Sequence, residues 1–168
     1  GVFVILAGVR LILGEIVPAF KGISERLVPN SKPALDCPIV YTYAPNAVLI
    51  GFISSFVGGL VSMAIMIASG TVVILPGVVP HFFCGATAGV IGNASGGVRG
   101  ATIGAFLQGI LISFLPVFLM PVLVGLGFQG STFSDADFGL SGIILGMLNQ
   151  FGSQAGIVIG LVLILAVM

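Results

Sequence analysis

Leu75-Pro76-Gly77-Val78-Val79-Pro80-His81-Phe82-Phe83-Cys84-Gly85-Ala86-Thr87-Ala88-Gly89-Val90-Ile91-Gly92-Asn93-Ala94-Ser95-Gly96-Gly97-Val98-Arg99 decides the fold. The stretch is apolar enough to lie in lipid. Yet Pro76, Pro80 and a Gly96-Gly97 pair interrupt it, and it holds the chain's single histidine. Hydrocarbon offers no hydrogen-bond partners, so interrupted backbone at membrane depth survives only where protein or a water-filled cavity satisfies its N–H and C=O groups. A plain anchor has no use for such breaks, whereas the lining of a solute path does. Residues 78–91 allow only about three or four helical turns, too few to span. The expectation is a re-entrant helical hairpin over 75–99, turning at Asn93–Gly97, with Arg99 opening the return arm. A full crossing by 71–91 with a proline kink has the same apolar sum, and hydropathy does not separate the two.

The rest of the chain agrees with a membrane setting. Of 168 residues, 58% are hydrophobic and only 6% charged, against about a quarter charged in soluble domains. Too few polar groups exist to clothe a soluble surface, so the chain reads as an all-α integral membrane protein. The formal net charge is zero. Without a basic stripe to neutralise phosphates, a nucleic-acid partner is excluded. Cys37 and Cys84 lack C-x-x-C or Cys/His ligand spacing and read as small buried hydrophobes. No H-E-x-x-H, Walker or nucleophile-elbow pattern occurs, so no catalytic residue, metal or cofactor is expected. The chain opens on Gly1 with no basic region ahead of its apolar run and closes on Met168 in apolar sequence. A piece of a longer chain is the expectation.

Towards the N-terminus, 1–17 has the composition of a transmembrane helix, which Pro18 is expected to end. Arg10 and Glu15 are five apart and so do not share a face as an i,i+4 pair would. Residues 19–33 carry Lys21, Glu25, Arg26 and Lys32, three of the chain's five basic residues. By the positive-inside rule this segment faces the cytoplasm, and Ile23, Leu27 and Val28 suit a short interfacial amphipathic helix. In 34–46, Pro38 and Pro45 bracket β-branched and aromatic residues, which predicts extended backbone. Helix 47–69 follows, uncharged, with Gly51, Gly58, Gly59, Ser54, Ser55 and Ser62 permitting close helix approach. Beyond the hairpin, 101–128 is long enough to need a kink or a break near Pro116 and Pro121. A polar loop leads to 141–167, where Asn149–Gln154 makes either one helix with a polar belt or two short ones. Elements of this number and size suit one half of an inverted-repeat transporter.

Few residues carry chemistry. Asp36 is the last charge before Arg99. A carboxylate at the mouth of a membrane segment is a functional candidate and, as a pure acceptor, suits a hydroxyl-rich ligand. A helix N-cap or an ion pair with Lys32 explains it equally well. Neutral His81 offers one donor and one acceptor for orienting a polar solute; a satisfied core histidine is the competing reading. Asn93, Ser95, Gly96 and Gly97 form a hairpin tip whose N–H groups suit an anion, with Arg99 as cap or ion-pair partner. Asp135 and Asp137 are too few for a metal site and read as a solvated loop.

Several strings together resemble a known family: Gly8-Val9-Arg10, Glu15-Ile16-Val17-Pro18-Ala19-Phe20-Lys21-Gly22, Ala34-Leu35-Asp36-Cys37-Pro38, Ala44-Pro45-Asn46-Ala47, Leu75–Phe83 and Asp135-Ala136-Asp137-Phe138-Gly139. They resemble the C-terminal half of the ascorbate-specific enzyme IIC membrane component of the bacterial phosphoenolpyruvate-dependent phosphotransferase system. The resemblance implies a multi-pass protein of the bacterial cytoplasmic membrane that takes up L-ascorbate or a related sugar acid. It also implies a homodimer in membrane lipid, and a cytoplasmic IIB partner that phosphorylates the solute. Asp36 is the ligand contact it carries over most directly, with His81 and the Asn93–Gly97 tip after it. The rival readings are an ion- or proton-coupled carrier using Asp36 and His81, a non-transporting scaffold subunit, and an intramembrane enzyme.

Overall fold

The computed structural model describes residues 1–26, 37–125, 127–131 and 136–167. Its elements, in order, are α1 (Val2–Arg26), α2 (Cys37–Tyr41), α3 (Pro45–Ser69), α4 (Val78–Gly125) and α5 (Ala136–Val167). No strand occurs among the described residues. α3 and α4 are long and apolar enough to cross a membrane, and the chain is an all-α membrane protein.

The helix boundaries follow from local chemistry. Pro45 opens α3 at the first helical position, where its missing N–H has no bond to lose. The helix runs about 37 Å. It closes in a Schellman arrangement: Gly70, at φ 67, donates to the Ile67 carbonyl, and Thr71 donates to that of Met66. The same device closes α4, with Gly127 at φ 89 donating to Val124 and Phe128 donating to Leu123. α4 is two arms. Gly96 (φ −138, ψ 18) and Gly97 (φ 58, ψ −149) leave helical geometry, and the second pair of angles is accessible only to glycine. Around this turn the arms touch, since a Cβ on Gly92 would strike the Gly100 carbonyl and one on Gly100 the Gly92 carbonyl.

Four expectations are corrected in detail. Pro18 does not end the first helix but lies inside α1; proline forfeits one intrahelical bond, a loss that membrane helices accommodate. Residues 37–41, expected to be extended, form α2. Pro38 falls in its first turn, where proline is tolerated. The first arm of α4 extends through Ser95, about 27 Å, longer than the three or four turns expected, because Asn93, Ala94 and Ser95 continue the helix. Of the kink or break expected near Pro116 and Pro121, the break does not occur: both lie within α4, where only Gly96 and Gly97 depart from helical φ/ψ. In α5, Gly156 lies against the Leu148 carbonyl. A straight helix would separate residues eight apart by about 12 Å, so α5 folds back between them. Residues 27–33, the remainder of the expected amphipathic segment, lie outside the described residues.

The chain divides into two compact units. The first comprises Gly1–Gly58 and His81–Gly109. Its core joins Tyr41 of α2, Ala47 and Val48 of α3, and Phe82, Ala86 and Val90 of α4, with Phe52 packed against them. Tyr41 is fully buried, stands edge-on to Phe82 at 5.8 Å, and donates its hydroxyl to the Phe83 carbonyl at 2.8 Å. Beside this cluster α3 and the first arm meet backbone to backbone. A Cβ on Gly51 would strike the Gly85 carbonyl, and one on Gly89 would strike the Ala47 carbonyl and Gly51 Cα. The second unit comprises Gly59–Pro80 and Ile110–Met168. There Gly139, Gly142 and Gly146, at helical spacing on α5, receive Leu115, Leu119 and Val122 of α4.

The glycine contact in the first unit gives a direct prediction. Gly89→Val should destabilise the purified protein by about 3 kcal/mol, because overpacking against backbone has no side chain to displace. Gly104→Ala, whose Cβ would find its nearest neighbour at 3.9 Å, should stabilise by about 0.5–1 kcal/mol. Thermal melting in detergent checks both; equal melts for the two variants would contradict the packing described.

Candidate functional site

Gly109 sets the geometry of the first unit's polar cluster. A Cβ there would overlap the Ser55 carbonyl, so the return arm of α4 lies directly on the α3 backbone. That approach brings Gln108, the preceding residue, to Ser55. The first arm delivers His81 to the same hydroxyl from the other side. Ser55 Oγ lies 2.8 Å from His81 Nδ1 and donates to Gln108 Oε1 at 2.9 Å. Ser55 is completely buried and His81 is 2% exposed. Three segments distant in sequence thus share one buried hydroxyl.

The hydrogen-bond inventory follows. A serine hydroxyl donates once and accepts twice. With its proton committed to Gln108 Oε1, Ser55 can accept from His81 Nδ1 when the imidazole carries its proton there. Gln108 Nε2 is buried and has no hydrogen-bond partner. Phe56 stands edge-on to the imidazole at 5.9 Å. The cluster carries no charge of its own beyond what the imidazole can take up, and it sits where an ion would be costly. It can orient a neutral polar group.

The sequence-predicted residues fall in different places. His81 is in the cluster just described. Asn93 is half-buried and Ser95, Gly96, Gly97 and Arg99 are exposed, all at the hairpin tip. Ser95 Oγ donates to the Gly92 carbonyl at 3.1 Å, within its own helix. Ser95 is fourteen helical positions beyond His81, so tip and histidine lie about 21 Å apart along the first arm, and the structure does not bring them together. Asp36, Lys32 and Asp135 lie outside the described residues, as does the side chain of Asp137. A cavity of about 590 Å³ in the first unit is lined by Phe3, Ala7, Arg10, Leu11 and Pro45. One of about 470 Å³ in the second is lined by residues that include Leu119, Val122, Phe138 and Asn149. Neither is lined by His81 or the tip. Ser55 and Gln108 are functional candidates that sequence reasoning passed over. Ser55 looked like one more small packing residue. The available signal for Gln108 was its isolation, an amide within the otherwise apolar run 101–128.

Comparison with known proteins adds the following. Residues 1–137 match the model of the EIIC-GAT family, described as the PTS system sugar-specific permease component. A protein of Mycoplasma pneumoniae (strain ATCC 29342 / M129 / Subtype 1), the "Ascorbate-specific PTS system EIIC component", is 36% identical over 121 residues. That alignment covers 66% of this chain and 18% of the relative's length.

Ser55→Ala removes the hydroxyl shared by His81 and Gln108. A buried polar group that loses its partner costs about 1–3 kcal/mol, and a loss in that range is expected in the thermal melt of the purified protein. Tyr41→Phe, which removes the hydrogen bond to the Phe83 carbonyl, should lose about 1 kcal/mol. A Ser55→Ala melt that matches the parent would show that the cluster contributes nothing to holding the hairpin on α3.

Proposed function

This chain belongs to the EIIC-GAT family of sugar-specific permease components, and from that membership we propose that it forms part of a transporter taking up L-ascorbate across the bacterial cytoplasmic membrane. The transporter works in a phosphoenolpyruvate-dependent phosphotransferase system. A cytoplasmic IIB partner phosphorylates the incoming solute, and the membrane component holds the solute without carrying phosphate. The protein is multi-pass, with the basic segment 19–33 on the cytoplasmic side, and it acts as a homodimer in lipid. The match over residues 1–137 carries this reading, and the ascorbate-specific relative supports the choice of solute.

The physical support lies in the bent α4. Its turn at Gly96-Gly97 and its buried Ser55–His81–Gln108 cluster place polar groups in a segment that hydrocarbon alone would not tolerate. In this reading α4 is the re-entrant hairpin of one half of an inverted repeat. Asp36, His81, Asn93, Ser95 and Gly96 belong to the solute path. His81 and the tip serve as separate stations along the first arm rather than one pocket. Asp36, next to α2, accepts hydrogen bonds from solute hydroxyls.

Uptake of radiolabelled ascorbate into membrane vesicles holding the full-length transporter tests the proposal. Accumulation should require phosphoenolpyruvate and the IIB partner, and the label should appear inside as a phosphate ester. Asp36→Asn should lower uptake about tenfold or more, the loss expected when a charged acceptor becomes a neutral one. Uptake driven by an ion gradient without phosphoenolpyruvate would indicate a coupled carrier instead. Accumulation of a hexitol in place of ascorbate would show the solute to be wrong while leaving the family's mode of uptake in place.

A further inference from the structure

We propose that the side-chain amide of Gln108 is a hydroxyl-binding point that selects the solute, an inference that rests on the uptake reading above and names the group at its site that grips one solute hydroxyl. The amide oxygen is engaged by Ser55 at 2.9 Å, while the buried Nε2 has no hydrogen-bond partner. An amide in such a place is costly when one of its two ends stays unpaired. Pure packing there would be served better by leucine or methionine.

Rotating the amide does not remove the difficulty. With nitrogen toward Ser55, the hydroxyl would donate to His81 Nδ1 and the orphan would become the amide oxygen. One orientation therefore asks its ligand for an acceptor and the other for a donor. A hydroxyl group is both. An ion is costly at a buried point, so an uncharged hydroxyl is the group that meets either orientation.

The surroundings agree with such a role. Three segments converge on the point: Ser55 from α3, His81 from the first arm and Gln108 from the return arm. Ser55 and His81 are themselves locked, being buried and joined at 2.8 Å. Phe56, half-buried and edge-on to His81, adds an apolar wall beside the polar atoms. A few fixed polar groups against aromatic carbon is the usual composition of a small-molecule site. Gly109 keeps the arrangement tight, because any side chain there would push Gln108 away from Ser55.

The test couples a side chain to a hydroxyl. Purified full-length transporter and its Gln108→Met variant are titrated with ascorbate, with ascorbate analogues each lacking one hydroxyl, and with a hexitol and its deoxy analogues. In the parent protein, loss of one particular hydroxyl should weaken binding about tenfold or more. Gln108→Met should bind that deoxy analogue and its parent solute equally, and should melt at or above the temperature of the parent protein. Variant and parent protein responding alike to every deoxy analogue would overturn the proposal and leave ascorbate uptake standing. A lower melting temperature with all solutes weakened in proportion would overturn it as well, making Gln108 a structural residue. The same coupling found only among hexitols would support the Gln108 contact and dismiss ascorbate. Binding of no polyol by the parent protein would dismiss both.

Discussion

Direct backbone contact between α3 and both arms of the bent α4 is the constraint on which the first unit depends. Gly51, Gly85 and Gly89 let α3 meet the first arm, and Gly109 lets the return arm meet Ser55. In lipid no hydrophobic force drives helices together, because acyl chains are as apolar as leucine. Association rests on close van der Waals packing and on hydrogen bonds between helices. The glycines supply the first and thereby make the second possible. Ser55, His81 and Gln108 reach one another only because no Cβ holds their helices apart.

The turn at Gly96-Gly97 is the complement of that packing. It reverses α4 by using backbone angles that only glycine adopts readily, and Gly92 and Gly100 allow the arms to stay in contact just behind it. The hairpin then has two chemically distinct ends. The tip is exposed and small, and Ser95 spends its hydroxyl on its own helix. At the other end the cluster is buried and internally bonded. The second unit repeats the packing logic: Gly139, Gly142 and Gly146 receive Leu115, Leu119 and Val122, and Ser62 and Ser113 are buried polar residues there.

Composition and pattern were enough for a good part of this. An apolar, nearly uncharged chain must be helical in a membrane, because only internal hydrogen bonds satisfy its backbone there. Gly96-Gly97 was visible as the point where the hairpin turns. The familiar strings around Asp36 and His81 pointed to a phosphotransferase-system membrane component, the family to which the chain belongs. Local rules failed where proline was given too much weight. Pro18 sits inside α1 and Pro38 inside the first turn of α2, since one missing N–H ends a helix only when nothing else holds it.

Tertiary structure alone decided which polar residues meet. Ser55 and Gln108 are 53 positions apart, and Ser55 does not differ in type from the small residues around it. No spacing rule links them, because their meeting depends on a chain reversal at Gly97 and on a clearance at Gly109 that exists only in three dimensions. The same reversal sends His81 and the Asn93–Gly97 tip to opposite ends of one arm, although twelve positions are all that part His81 from Asn93. Sequence determines which groups are present and which backbone angles are open to them. Distance between groups on different helices is set by how closely the backbones can approach.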